Sequence, residues 1–321
     1  MQAMSFLEEY RPSRLTLGTV QFGLNYGIAN RGGQPGYRTV CDILACAAAG
    51  GVNCLDTAAI YGSSEEVLGR ALRATGLRNR MTVVSKVAAI VGQPSATEAA
   101  AFIRASVETS LRRLQLDVLP LCLFHQEADY QYIEELWRLR DAGLIRYAGV
   151  SADNAPIPAR NMAEAGRVAA LQLPMNILDQ RHERSGALAA AAERRITVFV
   201  RSVYLQGLLL MPEENIIPEL TAVIPARRQL QALAEQAGMG MDELALRYIL
   251  SLEGVTSVIT GVETVEQMRR NTQLFALGAL PPDLLVAARQ AVPELPDALL
   301  SPKLWPNSMS RRPKSSHLKG N

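Results

Sequence analysis

Charge of one sign is missing from this chain: 33 Lys and Arg stand against 31 Asp and Glu, a formal net charge of +2 over 321 residues. That balance is too small to argue for nucleic acid or an anionic membrane as a partner. No apolar run reaches the roughly 18 residues of a membrane span. Cysteine is scarce as well. Cys41, Cys46, Cys54 and Cys122 are the only four. None is spaced as C-x-x-C, and three fall in apolar periodic segments, the usage of reduced, mostly buried thiols in a cytoplasmic protein. Histidine is scarcer still, at three residues without an H-x-x-x-H pair or a Cys/His cluster, so no metal site is expected. Residues 1–13 carry Glu8, Glu9 and Arg11 and no apolar core, and no secretory signal is read there. A G-x-G-x-x-G turn after the first strand is also lacking, which argues against a doubly wound open sheet.

What is present is alternation. With 48% hydrophobic and 20% charged residues the composition is that of an ordinary globular protein. The stretch Leu55–Glu66 organises the rest. Val52–Leu55 reads as a short buried strand, Asp56 ends it, Tyr61 sits on the following loop, and Ser63-x-x-Glu66 reads as a capping box opening a helix to Arg73. The same strand, loop and helix unit recurs. Strands are expected at Leu15–Phe22, Met81–Val87, Val118–Phe124, Tyr147–Ser151, Val168–Leu173, Ile196–Val200 and Ser257–Thr260. Between them lie helical patterns such as Val40, Ile43, Leu44, Ala47 and Ala48 on one face. Further capping boxes stand at Ser95/Glu98 and Thr264/Gln267. Eight such alternations at this length argue a single α/β domain, a (β/α)8 TIM barrel over residues 1–300. A C-terminal extension follows, with 301–321 read as a disordered tail.

In such a barrel the polar residues at the carboxyl ends of different strands meet at one mouth. Asp56 follows the second strand, Tyr61 its loop, Lys86 the third strand and His125 the fourth. Singly each has a plain structural reading: an N-cap Asp, a packing Tyr, a solvent Lys, a core His. Jointly they suit one chemistry. An ammonium beside a phenol favours phenolate and lowers its pKa. Asp56 would hold Lys86 in place, and His125 would hydrogen-bond a carbonyl oxygen or relay a proton. That set protonates an oxygen while hydride from a nicotinamide cofactor attacks the carbon. No Ser or Cys nucleophile paired with His is evident.

Leu17-Gly18-Thr19-Val20-Gln21-Phe22-Gly23, Leu55-Asp56-Thr57-Ala58 with Tyr61-Gly62-x-Ser64-Glu65, Ser85-Lys86, Phe124-His125 and Gly149-Val150-Ser151 follow one another along the chain, and Leu171–Asn176, Arg201–Leu208 and Ile259–Asn271 complete the series, one motif per strand end. In this series the chain resembles the aldo-keto reductase superfamily. The resemblance implies an NAD(P)H-dependent carbonyl reductase with Asp56, Tyr61, Lys86 and His125 as its catalytic tetrad. It implies cofactor contacts at Thr19, Val20, Asp56, Ser151, Gln172, Arg201, Ser202, Leu205, Gly207, Gly261, Thr264, Gln267 and Asn271. Ser151 and Gln172 match the positions that bind the carboxamide. Where the family often has Asn after that Ser, this chain has Ala152. Arg201 stands where an aromatic residue often stacks on the nicotinamide; its guanidinium would stack similarly or meet an anionic substrate. Ser202, Leu205 and Gly207 match the pyrophosphate loop. NADPH is the family default. Glu263 and Gln267 replace basic residues near the 2′-phosphate, which admits NADH, with Arg269 or Arg270 as compensating cations. The expected partner is a small carbonyl compound, a sugar or polyol being suggested by Gly23–Gly27, on a monomer or small homo-oligomer. A nucleotide-sensing accessory subunit with slow chemistry is the alternative.

Overall fold

The computed structural model describes residues 5–27, 30 and 32–305. Its sheet is a closed barrel of eight parallel strands in the order β1 to β8. The strands are β1 Leu15–Gly18, β2 Cys54–Asp56, β3 Thr82–Val87, β4 Leu119–Phe124, β5 Ile145–Ser151, β6 Ala170–Pro174, β7 Thr197–Arg201 and β8 Ser257–Gly261. The helices in chain order are α1 Phe6–Tyr10, α2 Tyr37–Ala49, α3 Ser64–Ala74, α4 Ala96–Leu114, α5 Ile133–Asp141, α6 Pro156–Ala165, α7 Arg181–Arg184 and α8 Ala187–Glu193. They continue as α9 Ile224–Gln236, α10 Met241–Leu250, α11 Val265–Ala276, α12 Pro282–Gln290 and α13 Asp297–Leu300. The expected (β/α)8 barrel is therefore the observed fold. Among the described residues no helix is long and apolar enough to cross a membrane.

Two apolar clusters make the core. The larger lies where α2 to α12 pack on the outer strand faces, and takes in Leu17, Leu55, Val83, Phe124, Val150, Leu171 and Val198. The smaller fills the barrel interior: Cys54, Val84, Leu121, Leu123, Ala170, Phe199 and Ile259. These interior residues matter for the site because side chains alternate along a strand. Two residues beyond Cys54 is Asp56. Two beyond Val84 is Lys86, beyond Leu123 His125, beyond Ala170 Gln172, and beyond Phe199 Arg201. The polar residues are the next layer of the same inward-facing column, at the carboxyl ends of the strands.

The opposite end is closed by a helix the sequence reading overlooked. Ser5 accepts the Glu8 N–H while the Glu8 carboxylate accepts the Ser5 N–H, a capping box that starts α1. Phe6 is fully buried and joins the interior cluster, stacking on Tyr10 at 5.0 Å and meeting Tyr147 edge-on at 5.5 Å.

Local expectations fare unevenly. The boxes at Ser95/Glu98 and Thr264/Gln267 form. The one at Ser63/Glu66 does not. Ser63 takes φ −87° and ψ 8° and caps nothing, because Ser64 turns inward and donates to Thr19 O at 2.7 Å, while Glu66 reaches Arg113 at 3.4 Å. The first strand stops at Gly18 rather than Phe22. Val20–Phe22 is a 3-10 turn, since Thr19 is tied back to Asp56 O by its own N–H and hydroxyl. All four cysteines are free thiols. Of the segment read as a disordered tail, Ser301 and Trp305 are buried and Pro302–Leu304 is a turn between them with Leu304 exposed; residues 306–321 lie outside the described residues.

Candidate active site

Lys86 is the centre of the mouth. Its ammonium, wholly inside the barrel, donates to both Asp56 oxygens at 2.7 and 2.8 Å and to Thr57 O at 2.9 Å. All three of its N–H groups are thereby engaged. Burial pushes its pKa down and Asp56 pulls it back. Asp56 also accepts from Gln172 Nε2 at 2.7 Å, and Gln172 Oε1 accepts from Ser151 at 3.4 Å. Ser151 and Gln172 face one another in register between β5 and β6.

Tyr61 lies above this pair. Lys86 Nζ is 5.1 Å from the centre of its ring, and the His125 ring meets it edge-on at 5.6 Å. The sequence reading had Lys86 lowering the phenol's pKa. The geometry reverses that. Burial and then Asp56 raise the Tyr61 pKa well above its usual value, Lys86 being committed to Asp56, and the cation that draws it down is Arg201. Tyr61 is consequently a protonated phenol at neutral pH. His125 is a neutral imidazole: burial first, then Lys86, Arg201 and Lys303, depress its pKa to about 3. Its Nδ1 is buried without a partner.

One measurable consequence follows for stability. His182, also buried, has its pKa depressed to about 4, mainly by burial. Both imidazoles are neutral in the fold and take up protons near pH 6.5 only when the chain unfolds. The unfolded state therefore binds more protons below that pH, and the fold loses stability as pH drops from 6.5 towards 4. Each His contributes at most about 1.4 kcal/mol per pH unit. Urea midpoints measured across that range should fall, and should fall less steeply in a His182→Gln variant.

The segments that follow β1, β7 and β8 combine strained backbone with unpaired polar atoms. Ser202, Leu205 and Gln206 all adopt positive φ, at 66°, 47° and 54°, although none is glycine. Gln206 Oε1 and Gln21 Oε1 are buried without partners. Gly261 leaves room for Gln21, whose Oε1 would lie 2.3 Å from a β-carbon there. These orphaned amides and the strained loop fit a large polar ligand such as a dinucleotide. Gln206 Nε2 also donates to the Tyr26 hydroxyl at 3.4 Å, joining the loops after β7 and β1; neither residue was singled out from the sequence.

Some anticipated contacts are already employed by the protein. The Thr19 hydroxyl donates to Asp56 O and meets the Ser64 hydroxyl at 2.9 Å. Asn271 Nδ2 donates to Thr260 at 3.0 Å. Gln267 Oε1 accepts from the Glu263 N–H, its Nε2 donates to the Glu263 carboxylate at 2.8 Å, and Thr264 caps α11. Arg270 is held by Asp242 at 3.1 Å. Val20 and Gly207 are half-buried and Gly261 is exposed, while Leu205 is buried.

A profile of the aldo/keto reductase family matches residues 14–290. The chain belongs to the aldo/keto reductase family. An uncharacterized oxidoreductase of Mycobacterium tuberculosis is 32% identical over 307 residues, covering 87% of this chain and 90% of that one. The structure of an aldo-keto reductase from Bacillus halodurans superposes with a TM-score of 0.73 at 23% identity, covering 90% of this chain and 96% of that one. A glycerol dehydrogenase from Gluconobacter oxydans superposes at 0.71 with 25% identity, over 87% and 91%. This aldo/keto reductase is thereby an oxidoreductase of a family that acts on small carbonyl compounds and generally uses NAD(P)H.

Proposed function

We propose that this aldo/keto reductase reduces a small aldehyde or ketone with NAD(P)H, Tyr61 being the proton donor. The observation that carries the reading is the convergence of Asp56, Lys86, Tyr61 and His125 at one barrel mouth, with a protonated phenol above a buried ion pair. A bound nicotinamide supplies the hydride. The Tyr61 hydroxyl donates its proton to the oxygen as charge develops there, and it is in the right protonation state to do so. Neutral His125 offers an N–H to the same oxygen and orients it. Lys86, fixed by Asp56, lies under the phenol ring and holds it in place, and Arg201 is the cation that favours the phenolate left behind.

Ser151, Gln172, Gln21 and Gln206 would hold the cofactor, together with the backbone of Ser202–Gly207. At the adenosine end Glu263 is locked by Gln267 and Arg270 by Asp242, so of the two arginines only Arg269 is left to meet a 2′-phosphate. A polyol or sugar substrate is supported by the likeness to the glycerol dehydrogenase. The test is a fluorescence titration with NADPH and with NADH, followed by turnover with simple aldehydes. Both cofactors should bind, with dissociation constants within about ten-fold of each other, a difference of about 1.4 kcal/mol or less. Binding of neither would sink the reductase reading.

A further inference from the structure

The polar layer at the barrel mouth holds one cation more than it cancels. Lys86 is neutralised by Asp56 at 2.7 Å. Arg201 has no carboxylate partner among the described residues. It ends β7, opposite Pro174, and stands two residues beyond the interior Phe199, so it belongs to the same inward column as the other mouth residues. Its guanidinium donates from Nη2 to Ala152 O at 3.0 Å and from Nη1 to the Ser202 hydroxyl at 3.5 Å. A carbonyl and a hydroxyl position a guanidinium without answering its charge. No carboxylate pairs with it among the described residues, in a chain where most arginines near a carboxylate are salt-bridged.

The carboxylates on this side of the mouth are already engaged elsewhere. Asp153, next to the residue that anchors Arg201, is ion-paired with Lys303 from the C-terminal turn Pro302–Leu304. Glu127 accepts the Asp153 N–H at 3.2 Å. A half-buried guanidinium without a counter-charge is costly in the free protein, and a planar fork of donors matches a carboxylate or a phosphate. The anchor on Ala152 turns Arg201 towards β5 and His125, away from β8, where the adenosine end of the cofactor would lie. It acts there: Arg201 lowers the pKa of both Tyr61 and His125, and Lys303 adds to the effect at His125.

We propose that Arg201 is the anion-binding group of the substrate site, so that the preferred substrate, hydroxylated or not, also carries a carboxylate or a phosphate within a few carbons of its carbonyl. This rests on the carbonyl-reductase reading and narrows its substrate class. Binding of the anion supplies the missing counter-charge, sets the carbonyl under the Tyr61 hydroxyl, and discriminates against neutral carbonyl compounds.

The experiment compares three aldehydes at saturating cofactor: glyceraldehyde, which is neutral, glyceraldehyde 3-phosphate and succinic semialdehyde. In the unaltered protein kcat/KM should favour at least one anionic aldehyde over the neutral one by about 10- to 100-fold, the worth of one charged hydrogen-bonded pair. Whichever of the two leads identifies phosphate or carboxylate as the anion. In Arg201→Met the ratio of anionic to neutral kcat/KM should collapse towards one, with the loss mainly in KM. Arg201→Lys should restore part of it. Cofactor titrations of the same variants provide the second readout. Equal losses for all three aldehydes, or a fall in cofactor affinity that accounts for the loss, would assign Arg201 to the cofactor and overturn the proposal. So would an unaltered protein that prefers the neutral aldehyde. A protein that reduces none of the three fails earlier, at the reductase reading itself.

Discussion

Tyr61→Phe is expected to lower kcat by about 10²- to 10⁴-fold, the usual contribution of a positioned general acid. The change deletes one oxygen and leaves the ring. The ring is what the fold uses, lying edge-on to His125 and above Lys86 Nζ, and no hydrogen bond from the hydroxyl to the protein is formed among the described residues. Thermal stability and cofactor binding should therefore stay close to those of the unaltered protein, and the loss should fall on the chemical step. Single-turnover measurements at saturating cofactor check this. Turnover retained within a few-fold would mean that another group, or water, protonates the substrate, and the assignment of the tetrad would be wrong. The raised pKa adds a second expectation: reduction should not decline with pH until the phenol ionises, well above pH 10.

The second large effect concerns the fold rather than the rate. Asp56→Ala leaves the Lys86 ammonium buried with only Thr57 O as partner. Removing one member of a buried pair costs about 3–5 kcal/mol, because the remaining charge keeps its desolvation penalty. Gln172 Nε2 loses its acceptor as well. Removing both charges, in Asp56→Ala with Lys86→Met, should recover much of that stability while abolishing turnover. Urea denaturation of the two single variants and the double variant closes the cycle. If Asp56→Ala is nearly neutral in stability, water reaches Lys86 and the pair is not the buried clamp described above.

The barrel was legible because its signals are periodic. Leu121, Leu123 and His125 alternate along one strand, and the alternation that places two leucines in the interior also places the histidine at the mouth. The same holds for Cys54 with Asp56 and for Val84 with Lys86. What the sequence did not reveal depends on partners distant in the chain. Ser63-x-x-Glu66 has the spacing of a capping box, yet Ser64 finds Thr19 O, 45 residues away in sequence, and turns the helix start inward. Val20–Phe22 has strand-like residues, yet Thr19 is recruited by Asp56 O and the strand ends. The plugging helix was missed although Ser5-x-x-Glu8 carried its signal, because five residues show no helical period. At the cofactor end, matching residue types did not reveal which side chains were already bonded: Gln267 serves Glu263 and the cap of α11, and Asn271 serves Thr260. The charge state of Tyr61 likewise depended on its burial and on the nearness of Asp56, which residue spacing does not reveal.

Closure of the barrel has a consequence for how this protein is made. β1 pairs with β8, Leu15 opposite Val258, and Thr16 meets Ser257 across 241 residues of sequence at 2.7 Å. Arg14 reaches Leu250 O on the same seam. A nascent chain emerging from the ribosome thus carries β1 with one edge unpaired until β8, 241 residues beyond Thr16, has been synthesised, and such edges are prone to pair wrongly. The residues of the mouth are all translated before β8, yet they cannot be drawn into one ring until that strand arrives. Activity during synthesis is therefore all or none. Truncated translation products that stop short of residue 257 would hold every catalytic side chain and still lack a closed site.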